Sequence, residues 1–117
     1  MLAHAREEEP RECVGLLLGG VGVAELALPL ENVSQTPRTA YRAEPRQLLK
    51  ALRQADDAGL EVLAVYHSHP GGPALPSARD RAEAVWDTLY VIIGGATGEV
   101  RVFGLPQGEE VELDVCE

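Results

Sequence analysis

The sequence predicts an α/β domain, an α-β-α sandwich built on a central mixed β-sheet. Three observations lead there. Short apolar runs of strand length, "CVGLLLGG", "LEVLAVYH" and "LYVIIGG", recur along the chain. Between them lie stretches with helical spacing, and the last two runs are apolar enough for central strands covered on both faces. Helices interspersed with strands give a layered sheet with helices packed on it. At 117 residues the chain is expected to form one domain over 1–117, large enough for one core and too small for two.

Each element has a local reason. "LAHAREEE" reads as a short helix that Pro10 ends or follows. "CVGLLLGG" and "VGVAELALPL" read as a hairpin turning near Gly19 to Gly22. A loop rich in Asn, Ser, Thr and Pro follows, with a short extended piece at "TAYRAE". From Pro45 to about Ala58 the pattern is an amphipathic helix: Pro45 suits the first turn, Leu48, Leu49, Leu52 and Ala55 recur at helical spacing, and Gly59 ends it. After "LEVLAVYH" and a Pro/Gly loop, "SARDRAEAVWDT" starts a second helix at Ser77, on which Trp86 is expected in a core or interface. "LYVIIGG", "EVRVFGL" and "EEVELDV" are three closing strands. "GGATGE" lacks the Lys and Ser/Thr of a phosphate loop and leads into a strand, so it reads as a hairpin turn.

Composition excludes some partners. The net charge of -9 repels phosphate backbones, and no basic patch offsets it, so no nucleic-acid partner is expected. No apolar run approaches a membrane span and the N-terminus lacks signal-peptide features, which makes the cytoplasm the expected location and a membrane partner unexpected. Cys13 and Cys116 are too few for a disulfide framework and read as reduced thiols, Cys13 as a small core residue. A homodimer is neither required nor excluded.

Chemistry concentrates in "AVYHSHPGGPALPSARD". Two of the chain's three histidines, His67 and His69, stand one residue apart at a strand end, so their side chains point to one face, while Tyr66 points to the other. Pro70 and the glycines turn the chain, and Ser77 is placed to cap a helix whose first turn holds Asp80. That helix can aim Asp80 at the point where both imidazoles meet. Two neutral nitrogens and one carboxylate make a three-ligand zinc site with a fourth position open to water, the pattern of a catalytic metal. Zinc lowers the pKa of such water toward ~7, and a general base within reach is then needed.

These residues resemble a known family. "HSHPGGPALPSARD" matches the JAMM signature, His-x-His-Pro followed by Ser-x-x-Asp, and "PRECVGLLLGG" is similar to the upstream segment that carries the family's glutamate. The family, also called JAB or MPN+, comprises zinc-dependent peptidases and isopeptidases on a cytidine-deaminase-like core, and the resemblance runs from about Leu2 to the last strands. It implies that His67, His69 and Asp80 bind Zn2+, that Glu12 acts as general base and then acid, and that Ser77 donates a hydrogen bond to the oxyanion. Among the four upstream glutamates, Glu7, Glu8 and Glu9 form an acidic run typical of a solvated helix face, whereas Glu12 is pressed against the apolar strand. His4 has no partner in the motif and is expected to be exposed. Tyr41 lies in a loop that could border a groove. Arg79 and Arg81 flank Asp80 and read as solvated.

The chain looks like a minimal core, with only a short helix between Asp80 and "LYVIIGG". The resemblance is closest to compact bacterial members, and it implies a substrate that is a small ubiquitin-like or sulfur-carrier protein with a Gly-Gly tail joined to another group, cysteine among the candidates. Three alternatives are open to the same residues: a scaffold, a RadC-type protein and a peptidase of cell walls or phage tails. A non-catalytic MPN scaffold usually lacks ligands that are present here. A RadC-type JAB protein, associated with DNA repair, fits poorly with the acidic balance. A cell-wall or phage-tail peptidase would ordinarily bring a second catalytic domain.

Overall fold

The computed structural model describes residues 1–20, 23–83, 88–105, 107–111 and 114–115. The elements are α1 (Leu2–Glu8), β1 (Val14–Gly20), β2 (Val23–Leu30), α2 (Pro45–Asp57), β3 (Glu61–His69), α3 (Ala78–Glu83), β4 (Leu89–Gly94), β5 (Val100–Gly104), β6 (Glu109–Val111) and β7 (Asp114–Val115). The strands form one sheet in the order β6-β5-β4-β3-β1-β2-β7. The β3/β4 and β2/β7 pairs are parallel and the others antiparallel, so the sheet is mixed. The two runs expected to be central, β3 and β4, have neighbours on both sides.

Alternation along the strands builds two cores. Val14, Leu16, Leu18, Val65 and Ile92 face one side and pack with Ala51 and Ala55 of α2. Cys13, Leu17, Ala64, Tyr66 and Val91 face the other and pack with Ala5 of α1. α2 therefore covers one face and α1 the other, which is the sandwich. Tyr66 is fully buried there, with its ring over Gly15, the residue opposite it in the β1/β3 register. A Cβ on Gly15 would sit 2.2 Å from the ring, so only glycine lets the aromatic lie across the neighbouring strand.

Three local expectations need correction. Leu49 is exposed while Leu48 and Leu52 pack on the core. At about 100° per residue Leu49 stands roughly a third of a turn from the centre of the stripe formed by Leu48, Ala51, Leu52 and Ala55. The segment "EEVELDV" is not one strand: β6 pairs with β5 on one edge and β7 with β2 on the other. Two residues separate them, and three peptide units reach at most about 11 Å, so the sheet curls until its edges nearly meet. His4 is half-buried instead of exposed, its Nδ1 2.8 Å from the Tyr66 hydroxyl, because α1 lies directly over Tyr66. Trp86, Cys116 and the tip of the β1/β2 turn lie outside the described residues.

Candidate metal centre

The site forms where β1 begins and β3 ends. Val14 pairs with His67, and the next step of the register is set by the Ser68 amide donating to the Cys13 carbonyl at 3.3 Å and the Cys13 amide donating to Ser68 Oγ at 2.9 Å. One further step brings Glu12 level with His69. Parity places Glu12, His67 and His69 on the α2 side of the sheet, and their ligand atoms lie within 4.8 Å of one another.

Asp80 arrives from the opposite direction, on the first turn of α3. The Ser77 hydroxyl accepts the Asp80 amide at 3.0 Å, which starts the helix as expected of an N-cap. Asp80 Oδ1 lies 3.2 Å from His67 Nε2, and Oδ2 lies 3.0 Å from His69 Nε2; the two imidazole nitrogens are 3.1 Å apart. Tetrahedral donors at metal-ligand distances of about 2.0–2.1 Å stand about 3.3 Å from each other, so these three side chains are spaced as co-ligands of one ion. His69 Nδ1 donates to the Pro73 carbonyl at 3.1 Å, which leaves the Nε2 lone pair facing that point. His67 Nδ1 has no hydrogen-bond partner among the described residues; one face of its ring is covered by Tyr41, stacked at 4.4 Å between centroids.

Glu12 differs from Asp80. It is 5% exposed, and its buried Oε1 has no hydrogen-bond partner among the described residues. Its carboxylate comes within 4.8 Å of the imidazole nitrogens without a hydrogen bond to either among the described residues. Burial pushes the Glu12 carboxyl up to about 7, against the pull of His69. For Asp80, burial acts upward too, but the hydrogen bonds with His67 and His69 win and hold its carboxyl well below the usual range. Burial lowers His67, whereas in His69 the same pressure is outweighed by Asp80 and the net shift is upward. Two carboxylates thus converge on one histidine pair with their pKa values shifted in opposite directions. The donor set fits a divalent transition metal.

Beside the centre runs a polar groove of about 500 Å³ lined by residues that include Val33, Ser34, Thr36, Tyr41, Arg42 and Arg79. The loop that expectation left open for Tyr41 is thus one wall of it. Arg79 and Arg81 are both exposed, as a solvated helix face requires, and Arg81 also donates to the Gln107 carbonyl at 3.0 Å. Sequence reasoning missed Asn32, which is 1% exposed and ties the groove loop to the Glu12 backbone. In a stretch rich in Asn, Ser and Pro it reads as an ordinary loop residue, and nothing in its spacing marks it.

A family model described as prokaryotic homologs of the JAB domain matches residues 1–105. A probable TtuB-protein conjugate cleaving protease of Thermus thermophilus is 54% identical over 113 residues, covering 97% of this chain and 74% of that protein. A CysO-cysteine peptidase of Mycobacterium bovis is 36% identical over 96 residues, 80% of this chain and 65% of that one. The solution structure of a Desulfitobacterium hafniense protein superposes with a TM-score of 0.87 at 35% identity, over 100% of this chain and 86% of that chain.

Proposed function

Because the chain belongs to the prokaryotic homologs of the JAB domain, we propose that it is a zinc-dependent peptidase. It hydrolyses the amide bond after the Gly-Gly terminus of a small ubiquitin-like or sulfur-carrier protein. The observation that carries this reading is the approach of both imidazoles to Asp80 at 3.0–3.2 Å beside a buried Glu12 oxygen without a partner. His67, His69 and Asp80 hold the ion and Glu12 stays outside its ligand set. When bound, the ion supplies a Lewis acid that acidifies water and polarises the scissile carbonyl.

The rest is work for the chain's own side chains. Glu12 takes the proton of the attacking water on its free oxygen and later returns it to the leaving amine, acting first as general base and then as general acid. Ser77 accepts the Asp80 amide, which leaves its own O–H to donate to the developing oxyanion; such a donor is typically worth about 2.7–4 kcal/mol of barrier. The extended tail of the carrier lies in the groove beside Tyr41, where residues without side chains pass close to the stacked ring. The names of the two relatives point to two leaving groups, a protein in a conjugate and a cysteine. The cytoplasm is where such carriers would be met.

The test is intact-mass analysis of Gly-Gly-ending carrier proteins from the host, each bearing a C-terminal cysteine or a lysine-linked extension, after incubation with zinc-loaded protein and with Glu12→Gln. Cleavage after the second glycine, abolished in the variant, supports the reading and identifies the preferred leaving group. Full zinc occupancy with no adduct cut overturns it.

A further inference from the structure

The most fully bonded polar side chain near the site belongs to a residue with no place in the chemistry. Asn32 Nδ2 donates to the Glu12 carbonyl at 2.9 Å and to the Ala40 carbonyl at 3.0 Å, while its Oδ1 accepts the amides of Ser34 and Arg42, both at 3.0 Å. One amide thus uses its two donors and both acceptor directions. Arg11 also donates to the Asn32 carbonyl at 2.6 Å, and the Glu12 amide donates to the Pro37 carbonyl at 2.6 Å. The backbone of Glu12 is held from two sides by a loop that β1 does not pair with.

We infer that Asn32 is a positioning residue: it locks the Glu12 backbone and the Tyr41 loop into one rigid frame, so that the base and the groove wall keep a fixed relation to the histidines. The side chain of Glu12 needs such a frame because its own Oε1 has no hydrogen-bond partner among the described residues to orient it. Tyr41 sits between Ala40 and Arg42, both bonded to Asn32, and its ring lies 4.4 Å from that of His67. The ligands His67, His69 and Asp80 are carried by β3 and α3 and not by this loop, which meets them at the Tyr41–His67 stack. Loss of the clamp should therefore spare metal binding and harm turnover.

The inference rests on the peptidase reading, and its test separates the two. Asn32→Asp keeps the acceptors for Ser34 and Arg42 and removes the donors to Glu12 and Ala40; Asn32→Ala removes both without adding charge. The expected result for either variant is full zinc occupancy in a chelator competition with kcat lowered on the order of 100-fold. A variant that keeps kcat within about threefold, or whose loss follows its unfolded or zinc-free fraction, overturns the inference. Should neither variant fold, amide hydrogen exchange on the metal-free wild type decides the matter: Glu12, Ser34 and Arg42 must be protected and open together. Ser34 and Arg42 exchanging as a free loop while Glu12 stays protected would refute the frame. A wild type that cuts no adduct would sink the peptidase reading and leave the exchange result to stand by itself.

Discussion

Ser77 and Asp80 hold each other in place: the Asp80 amide donates to the Ser77 hydroxyl at 3.0 Å, and the Ser77 amide donates back to Asp80 Oδ2 at 2.9 Å. This is a reciprocal cap of the kind that starts helices. The same Oδ2 lies 3.0 Å from His69 Nε2, so the cap that begins α3 also orients the carboxylate toward the histidines. Local helix chemistry and the candidate metal centre thus meet in one side chain, Asp80.

Ser77→Ala should have two separable effects. Losing the cap costs about 0.5–2 kcal/mol in urea denaturation. Losing the oxyanion donor lowers kcat about 10²–10³-fold. Ser77→Thr, which keeps a hydroxyl, should recover most of both. A Ser77→Ala protein that is destabilised but turns over normally would confine the residue to capping.

Metal should stabilise the fold through Asp80. An ion that binds only the folded chain, present at 100 times its dissociation constant, adds about 2.7 kcal/mol. Melting curves with zinc and with a chelator should differ clearly for the wild type. Asp80→Asn retains the shape but loses the charge that faces both imidazoles, and the zinc-dependent shift should shrink or vanish. An unchanged shift would remove Asp80 from the ligand set.

Gly15→Ala should destabilise the protein by about 1–3 kcal/mol, an overpacking cost. The added methyl would stand 2.2–2.3 Å from the Tyr66 ring, and the ring has no slack because it is fully buried. Tyr66 precedes His67, so the displacement should also weaken zinc binding in a chelator titration. Equal stability of the two proteins would mean that the ring can leave β1 freely.

His4 makes stability pH-dependent at the other face of the sheet. Burial lowers its pKa below the ordinary 6.5, opposed by Glu8 and Glu7 and aided by the N-terminus. The fold thus favours the neutral ring next to the Tyr66 hydroxyl. That contribution is complete above pH 6.5 and is lost as pH falls through the folded value. Between pH 7.5 and pH 5, roughly one unit or more to either side of the free imidazole, metal-free wild type should lose more melting temperature than His4→Gln. Equal losses would show that docking of α1 is indifferent to this charge.

The sequence by itself determined the layers and the two short motifs. Apolar runs separated β3 and β4 as central strands, one-residue spacing placed His67 and His69 on a common face, and the Ser-x-x-Asp spacing started α3 with a carboxylate in its first turn. These are local properties, because a strand's period and a helix cap depend on neighbours a few residues away. Tertiary structure alone decided the rest. Glu12 is singled out in the sequence by its place against an apolar strand, but what it meets is decided by the β1/β3 register, which joins residues more than fifty positions apart. Asn32 becomes a clamp only where the backbones of Glu12, Ala40 and Arg42 meet. The last segment splits between opposite sheet edges because the sheet curls. Periodicity tells which way a side chain points, but which distant backbone it meets depends on strand pairing and packing across the whole fold.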